Sequence, residues 1–173
     1  VKVLRCATGE FIKLFRVKRR ITTARLWNPA RAFCHKAQQL QQRGIPTVTP
    51  VALYRLLHVP RFGVRYQPLM GETVRSLLQQ KKFTEKHITK LAAFIALLHS
   101  KGILFRSLHP GNVVLTPDGS FGLIDILDCR FRWWNRPLNR WQRERNFQHF
   151  LRYDDGKSIE SELRAAYEKA ICG

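Results

Sequence analysis

Apolar and polar positions alternate in two short runs at the start of the chain, residues 1–6 (VKVLRC) and 11–17 (FIKLFRV). Joined through Ala7-Thr8-Gly9-Glu10, they predict two strands of a hairpin. The period then changes. Asn28-Pro29 supplies a helix cap followed by a first-turn proline, Phe33, Ala37 and Leu40 recur at helical spacing, and Gly44 stops the pattern, so residues 29–43 should be an amphipathic helix. Residues 47–57 and 63–67 read as further strands around a turn at Pro60, and helices are expected over 73–80 and 84–101. The longer of these puts Ile88, Leu91, Ile95 and Leu98 on one face and ends at Gly102. Two apolar runs, 112–116 and 121–127, flank Pro117-Asp118-Gly119, a turn signal that predicts a second hairpin. Residues 130–145 are rich in Arg and Trp with weak periodicity. They lead to an amphipathic stretch around Phe147, Phe150 and Leu151 and a last helix near 158–171. Strands with one helix, then mostly helices with an embedded hairpin, predict an α+β chain: a small sheet lobe over 1–67 and a mainly helical lobe over 68–173, with the boundary near Pro68–Gly71.

Composition narrows the classes. With 173 residues, 45% apolar and 25% charged, the chain is long enough for one globular core and too apolar for a disordered tail. No apolar run approaches the roughly 20 residues of a membrane-spanning helix. The net charge of +19 is lopsided: residues 1–117 carry 21 basic and three acidic side chains (Glu10, Glu72, Glu85), residues 118–173 ten basic and nine acidic. A field of that size favours an anionic partner: nucleic acid, an anionic membrane surface or a phosphate-rich substrate. Cys6, Cys34, Cys129 and Cys172 are scattered without metal-ligand spacing and read as reduced thiols of a cytosolic protein. There is no signal-peptide pattern, and an opening on Val1 rather than Met suggests that residues precede it.

Three polar residues interrupt apolar patterns. Lys13 lies inside a strand, where it is either the solvent-facing residue of an edge or a functional cation. Asn112 opens the second hairpin and Asp125 interrupts its far arm, where a carboxylate amid Leu123, Ile124, Ile126 and Leu127 should be paired or bind a cation. Oxygens from Asn112 and Asp125 at one rim, with a lysine from a separate strand, form a cradle suited to Mg²⁺ and nucleotide phosphates.

Those residues carry a resemblance. The run Leu104-Phe105-Arg106-Ser107-Leu108-His109-Pro110-Gly111-Asn112, followed by Gly122-Leu123-Ile124-Asp125, resembles the catalytic and metal-binding loops of protein-kinase-like phosphotransferases. With Phe11-Ile12-Lys13-Leu14-Phe15, residues 44–48 (GIPTV) and 67–71 (QPLMG), the pattern is similar to the bacterial lipopolysaccharide core sugar kinases, which include heptose and Kdo kinases and toluene-tolerance-type relatives. The similarity runs from about Val3 to Tyr153. It implies a bilobal protein-kinase-like fold, ATP and Mg²⁺ as cofactors, and transfer of the γ-phosphate to a sugar hydroxyl. It further implies Lys13 at the nucleotide phosphates, Gln67–Leu69 against the adenine, Arg106 in the catalytic loop, and Asn112 and Asp125 on Mg²⁺. The implied acceptor is an anionic glycolipid or phosphorylated sugar, met in the cytoplasm or peripherally at the inner face of the inner membrane.

The departures are equally concrete. Ser107 stands where the resemblance calls for a catalytic aspartate, and Phe105 where it calls for the histidine before it. A hydroxyl cannot take a proton at neutral pH as a carboxylate can, and losing a general base typically costs about 10²–10⁴-fold in rate. Asp128 is the nearest spare carboxylate in sequence. Between Glu10 and Glu72 no acid exists to pair with Lys13 from the helix over 29–43, leaving His35 or Gln38 as neutral contacts. A glycine-rich phosphate loop, absent here, is expected upstream of residue 1. A catalytically impaired pseudokinase that scaffolds nucleotide or partner is therefore the second reading. The Arg- and Trp-rich segment 130–145 admits three: an activation segment with packed Trp side chains, a dock for an anionic acceptor or membrane surface, or a nucleic-acid surface. The last is disfavoured by the lack of any helix-turn-helix, zinc-finger or RNA-binding signature.

Overall fold

The computed structural model describes residues 2–16, 28–56 and 61–172. Residue 17, Leu57 and the expected turn at Pro60 lie outside the described residues. The chain is α+β, with an antiparallel sheet near its N-terminus and a mainly helical C-terminal part, consistent with a bilobal kinase-like fold. It divides into two compact units, Val1–Leu69 and Met70–Gly173.

In the first unit, β1 (Lys2–Arg5) and β2 (Phe11–Arg16) form the expected hairpin, closed by Cys6 N–H donating to the Glu10 carbonyl (2.8 Å). β3 (Thr49–Arg55) and β4 (Arg61–Gln67) complete a four-stranded sheet in the order β1-β2-β4-β3. Every described pairing is antiparallel. Helix α1 (Pro29–Gln42) starts where the sequence asks: the Asn28 side-chain oxygen accepts from the N–H groups of Ala30 (3.0 Å) and Arg31 (3.3 Å). Its stripe of Ala30, Phe33, Ala37 and Leu40 is buried, with Phe33 packed on Phe15 of β2 and Tyr66 of β4 (ring centroids 6.0 and 5.5 Å apart). Burying a side chain such as Phe33 contributes roughly 2–3 kcal/mol.

The second unit is built around α3 (Glu85–Ser100), entered through a reciprocal Thr84/His87 cap. The predicted face of Ile88, Leu91, Ile95 and Leu98 is buried. α3 packs against α6 (Glu160–Cys172), and α4 (Arg140–Phe150) meets α6 through Phe147 and Tyr167 (4.5 Å, edge to face) and a two-pronged ion pair from Arg164 to Glu144 (3.1 Å each). Two short helices, α2 (Val74–Gln79) and α5 (Asp154–Lys157), complete the helical set, α5 and the early start of α4 being unforeseen. Two small sheets position the loops: β5 (Glu72–Thr73) with β7 (Val113–Leu115) and β8 (Phe121–Leu123), and β6 (Ile103–Phe105) with β9 (Cys129–Phe131).

The hairpin of β7 and β8 turns at Pro117-Asp118-Gly119 as predicted, with Gly119 N–H donating to the Thr116 carbonyl (2.9 Å). Its far arm is shorter than the apolar run suggests. β8 ends at Leu123, because Asp125 takes a left-handed backbone (φ 52°, ψ 46°) that no strand continues through. Ile126 then turns inward and is fully buried in a 3-10 turn over Ile126–Asp128. Leu123 and Ile126 are therefore core residues on either side of a kink, and Asp125 itself is exposed rather than embedded among them. That corrects the expectation of a carboxylate inside a strand.

Candidate functional site

Lys13 and its surroundings belong to the first unit. In β2, which lies between β1 and β4, Lys13 points to the same buried side as Phe15 and is only 7% exposed, so it is not an edge residue facing solvent. Strand period sets this: Phe15 and Lys13 share one face while Ile12 and Leu14 take the other. Val64 of β4 and Val3 of β1 lie opposite it in register. The ammonium sits 5.3 Å from the ring centroid of Phe33 in α1 and 5.9 Å from that of Phe15. One aromatic ring thus meets the lysine from the helix and one from its own strand, a placement unforeseen beyond Phe33 being apolar. His35 and Gln38 lie on the exposed side of α1. Gln67 is the exposed last residue of β4 and Leu69, half-buried, closes this unit.

The second unit holds Arg106, Ser107, Asn112 and Asp125, and here register brings residues together. Val113 pairs with Leu123, and one step beyond that pair Ile124 N–H donates to the Asn112 carbonyl (3.0 Å). Asn112 and Asp125 consequently emerge at the same open end of one hairpin. The Asn112 amide is buried, and its nitrogen donates to the Ser107 carbonyl (3.0 Å). A carbonyl only accepts, so this bond fixes the side chain's orientation and directs its oxygen the other way. An amide oxygen and a carboxylate at one hairpin end suit a hard divalent cation that takes its remaining ligands from phosphates and water. Among the described residues no group of three or more His, Cys, Asp or Glu side chains could hold a metal ion.

Ser107 is tied on both sides. Its hydroxyl donates to Asp128 Oδ2 (2.5 Å), while its carbonyl receives the Asn112 amide. Behind it, Phe105 pairs with Cys129 across β6 and β9, and Arg106 N–H donates to the Asp128 carbonyl (3.3 Å). The Arg106 side chain is exposed. His109 caps the 3-10 turn Pro110–Asn112, its Nδ1 accepting from Gly111 N–H (3.1 Å), which leaves any imidazole proton on Nε2. Burial first, then the neighbouring Arg75 guanidinium and His149 imidazole, hold His109 below the ordinary histidine range. The bond to Gly111 N–H is its structural contribution to the loop.

A second polar network supports this loop from inside. Asn146 of α4 donates from Nδ2 to the Phe105 carbonyl (2.6 Å), so its Oδ1 faces His99 Nε2 (3.3 Å) and His99 Nδ1 meets the Tyr167 hydroxyl (2.7 Å). Sequence reading missed Asn146 and His99, because a polar residue on an apolar helix face shows its partner only once the fold brings one.

The Arg- and Trp-rich segment does not pack its indoles. Trp133 and Trp134 are 84% and 86% exposed at a tip where Trp134 and Asn135 adopt left-handed backbones. Its base is anchored by Arg132 N–H to the Gly102 carbonyl (2.9 Å) and the Arg132 guanidinium to the Pro137 carbonyl (2.8 Å). Trp141 in α4 is also exposed, with Arg145 over its ring (5.3 Å).

No protein-family model matches the chain. It is 29% identical over 121 residues to a 3-deoxy-D-manno-octulosonic acid kinase of Xylella fastidiosa, covering 66% of this chain and 45% of that protein. It is 35% identical over 75 residues to the serine/threonine-protein kinase kin-29 of Caenorhabditis briggsae, covering 41% of this chain and 9% of that one. The matches thus span less than half the length of either relative. Both relatives are kinases, and together with the α+β architecture they support placing the chain in the kinase-like superfamily.

Proposed function

We propose that the chain is an ATP- and Mg²⁺-dependent phosphotransferase related to the lipopolysaccharide core sugar kinases, moving the γ-phosphate to a sugar hydroxyl. The observation that carries this reading is the oriented Asn112 amide, whose oxygen shares one hairpin end with Asp125. In it, Asn112 and Asp125 hold Mg²⁺, Lys13 contacts the nucleotide phosphates, and Gln67 and Leu69 lie along the adenine. Bound Mg²⁺ would neutralise charge on the transferring phosphoryl group. The chain's own contribution is to orient: the β7–β8 hairpin fixes the two oxygen ligands, and the turn Pro110–Asn112 fixes the loop between them and Ser107. Likeness to a sugar-acid kinase supports a sugar acceptor, and the net charge of +19 supports an anionic one.

The same field supports peripheral association with an anionic membrane surface, each Lys or Arg near such a surface contributing about 1 kcal/mol. Among the described residues no helix is long and apolar enough to cross a membrane. A second reading, a pseudokinase that binds nucleotide without transfer, is favoured by Ser107 at the catalytic-aspartate position and by the lack of an acid between Glu10 and Glu72 to pair with Lys13.

Thermal stabilisation by Mg·ATP, with and without Asp125→Asn, tests the nucleotide site. Stabilisation in the parent that the variant loses is expected. Absence of any Mg·ATP effect in the parent would sink the reading. Transfer of labelled phosphate to a 3-deoxy-D-manno-octulosonic acid-bearing oligosaccharide then separates kinase from pseudokinase, and tight, salt-sensitive nucleic-acid binding with indifference to ATP would overturn both.

A further inference from the structure

We propose that Asp128 is the catalytic base of this site and that Ser107 is the positioning residue that aims it. This rests on the phosphotransferase reading above and concerns the group that receives the acceptor's proton.

The register of the small sheet brings the two residues together. β6 and β9 pair antiparallel with Phe105 opposite Cys129, so the chain leaving β6 and the chain entering β9 run side by side. One step beyond that pair, Arg106 N–H is bonded to the Asp128 carbonyl, and at the next step the Ser107 hydroxyl reaches the Asp128 carboxylate at 2.5 Å. Ser107 commits its single hydroxyl proton to Oδ2. Among the described residues no hydrogen bond engages Oδ1, and the Asp128 side chain is exposed to an incoming molecule.

Ser107 also ties this carboxylate to the metal-binding end of the hairpin. Its carbonyl accepts from the Asn112 amide (3.0 Å), the bond that fixes the Asn112 oxygen. One residue therefore orients the base through its side chain and the cation ligand through its backbone. A carboxylate at position 107 itself would occupy the place of the hydroxyl. Here the carboxylate has moved across the hydrogen bond, onto the 3-10 turn Ile126–Asp128, while remaining attached to the same loop. Asp125 and Asp128 lie on either side of Ile126 and Leu127, and the burial of Ile126 pins the turn that carries both.

The chemistry balances with a nucleoside triphosphate and a hydroxyl-bearing acceptor. The acceptor O–H donates to Asp128 Oδ1 as its oxygen bonds to the γ-phosphorus. The bond from that phosphorus to the bridging oxygen breaks, and the nucleoside diphosphate leaves with the electron pair. The proton resides on Asp128 and passes to water on product release. A base in this position is worth roughly 10²–10⁴-fold in rate.

Four proteins test this: the parent, Asp128→Ser, Ser107→Ala, and the exchange variant Ser107→Asp/Asp128→Ser. Each is measured for Mg·ATP stabilisation and for transfer from γ-labelled ATP to a 3-deoxy-D-manno-octulosonic acid-bearing oligosaccharide. Asp128→Ser should bind Mg·ATP like the parent and lose about 100-fold or more in kcat. Ser107→Ala should lose less, about tenfold, in kcat with KM for ATP unchanged, since the carboxylate remains but is no longer aimed. The exchange variant, which returns a carboxylate to the loop, should recover most of the loss of Asp128→Ser. Transfer by Asp128→Ser at the parent's rate overturns the assignment. So does a parent that binds Mg·ATP and transfers nothing while the exchange variant transfers. Absence of Mg·ATP binding in the parent overturns the nucleotide reading itself, and this one with it.

Discussion

His99 Nδ1 lies 2.7 Å from the hydroxyl of Tyr167, joining α3 to α6 in the interior of the second unit. Because Asn146 must donate to the Phe105 carbonyl, its oxygen takes the His99 Nε2–H, and Nδ1 is left to accept from tyrosine. This arrangement needs a neutral imidazole. Burial is the main cause holding His99 down at a pKa of about 4, with the charge of Arg143 adding to it and the Asn146 bond working against it. The unfolded chain titrates near 6.5, so above that pH neither state binds the proton. As pH falls from 6.5 toward 4 the unfolded chain takes a proton that the folded chain refuses, and stability falls by up to about 3 kcal/mol. Urea unfolding at pH 7, 5.5 and 4 should show this loss in the parent and a shallower one in His99→Gln, which does not titrate. Equal slopes in the two proteins would remove His99 as the cause.

Gly71 is held by geometry alone. Its φ of +133° is one that side-chain-bearing residues rarely adopt, and a Cβ there would meet the Leu115 carbonyl oxygen at 2.1 Å. The obstacle is backbone of β7, so it cannot rotate away. Gly71→Ala should cost about 3 kcal/mol or more, because either β5 must leave β7 or the residue must carry both strain and clash. Gly9→Ala offers the control: it too has a positive φ, +84°, but a Cβ there meets nothing within 4 Å, so its cost should stay near 1 kcal/mol. Denaturation midpoints of the two variants measure the difference.

What was legible in the sequence follows from range. The helix at Pro29–Gln42 rests on local signals, an asparagine cap, a first-turn proline and a 3.6-residue apolar period, and these needed no partner to be read. The same is true of the Thr116–Gly119 turn and of the α+β order as a whole. The β6–β9 pair was missed because three residues each, Ile103–Phe105 and Cys129–Phe131, are too few to show a period, and their pairing joins segments far apart in the chain. The end of β8 was missed for the opposite reason. Leu123 to Leu127 looks uniformly apolar around Asp125, and only the left-handed backbone at Asp125 shows that Leu123 and Ile126 enter the core from two different elements. In the site, the kinase-like loop order was visible as residue types, whereas the Ser107–Asp128 bond depends on that unforeseen sheet.

The exposed tip at Trp133 and Trp134 gives a prediction free of folding effects. With side chains 84% and 86% exposed, both can become serine with a stability change within about 0.5 kcal/mol. If the basic surface associates with an anionic bilayer, two indoles on an anchored, arginine-flanked tip should insert at its interface. Trp133→Ser/Trp134→Ser should then weaken binding to phosphatidylglycerol-containing vesicles at least fivefold, about 1 kcal/mol, while binding to zwitterionic vesicles stays negligible for both proteins. Vesicle co-sedimentation at fixed salt reads this directly. Equal binding by parent and variant would assign the tip to another surface.

Lys13 separates a structural from a functional cation. Buried between β2 and α1, it lies over Phe33 and Phe15, contacts that stabilise by about 1–2 kcal/mol when desolvated, yet burying an ammonium costs energy that a sheet core does not otherwise require. Methionine matches the length of the stem and removes the charge. Volume-conserving swaps of this kind usually change stability by less than about 1.5 kcal/mol, so Lys13→Met should fold with a denaturation midpoint close to the parent's. Its Mg·ATP stabilisation should nevertheless be lost, with affinity at least tenfold weaker, because methionine offers phosphate no charge. Lys13→Arg supplies the complementary measurement: it keeps the charge but must fit a planar fork against Phe33, so it should lose stability while retaining part of the nucleotide effect. A Lys13→Met protein that binds Mg·ATP like the parent would make the ammonium a packing element only.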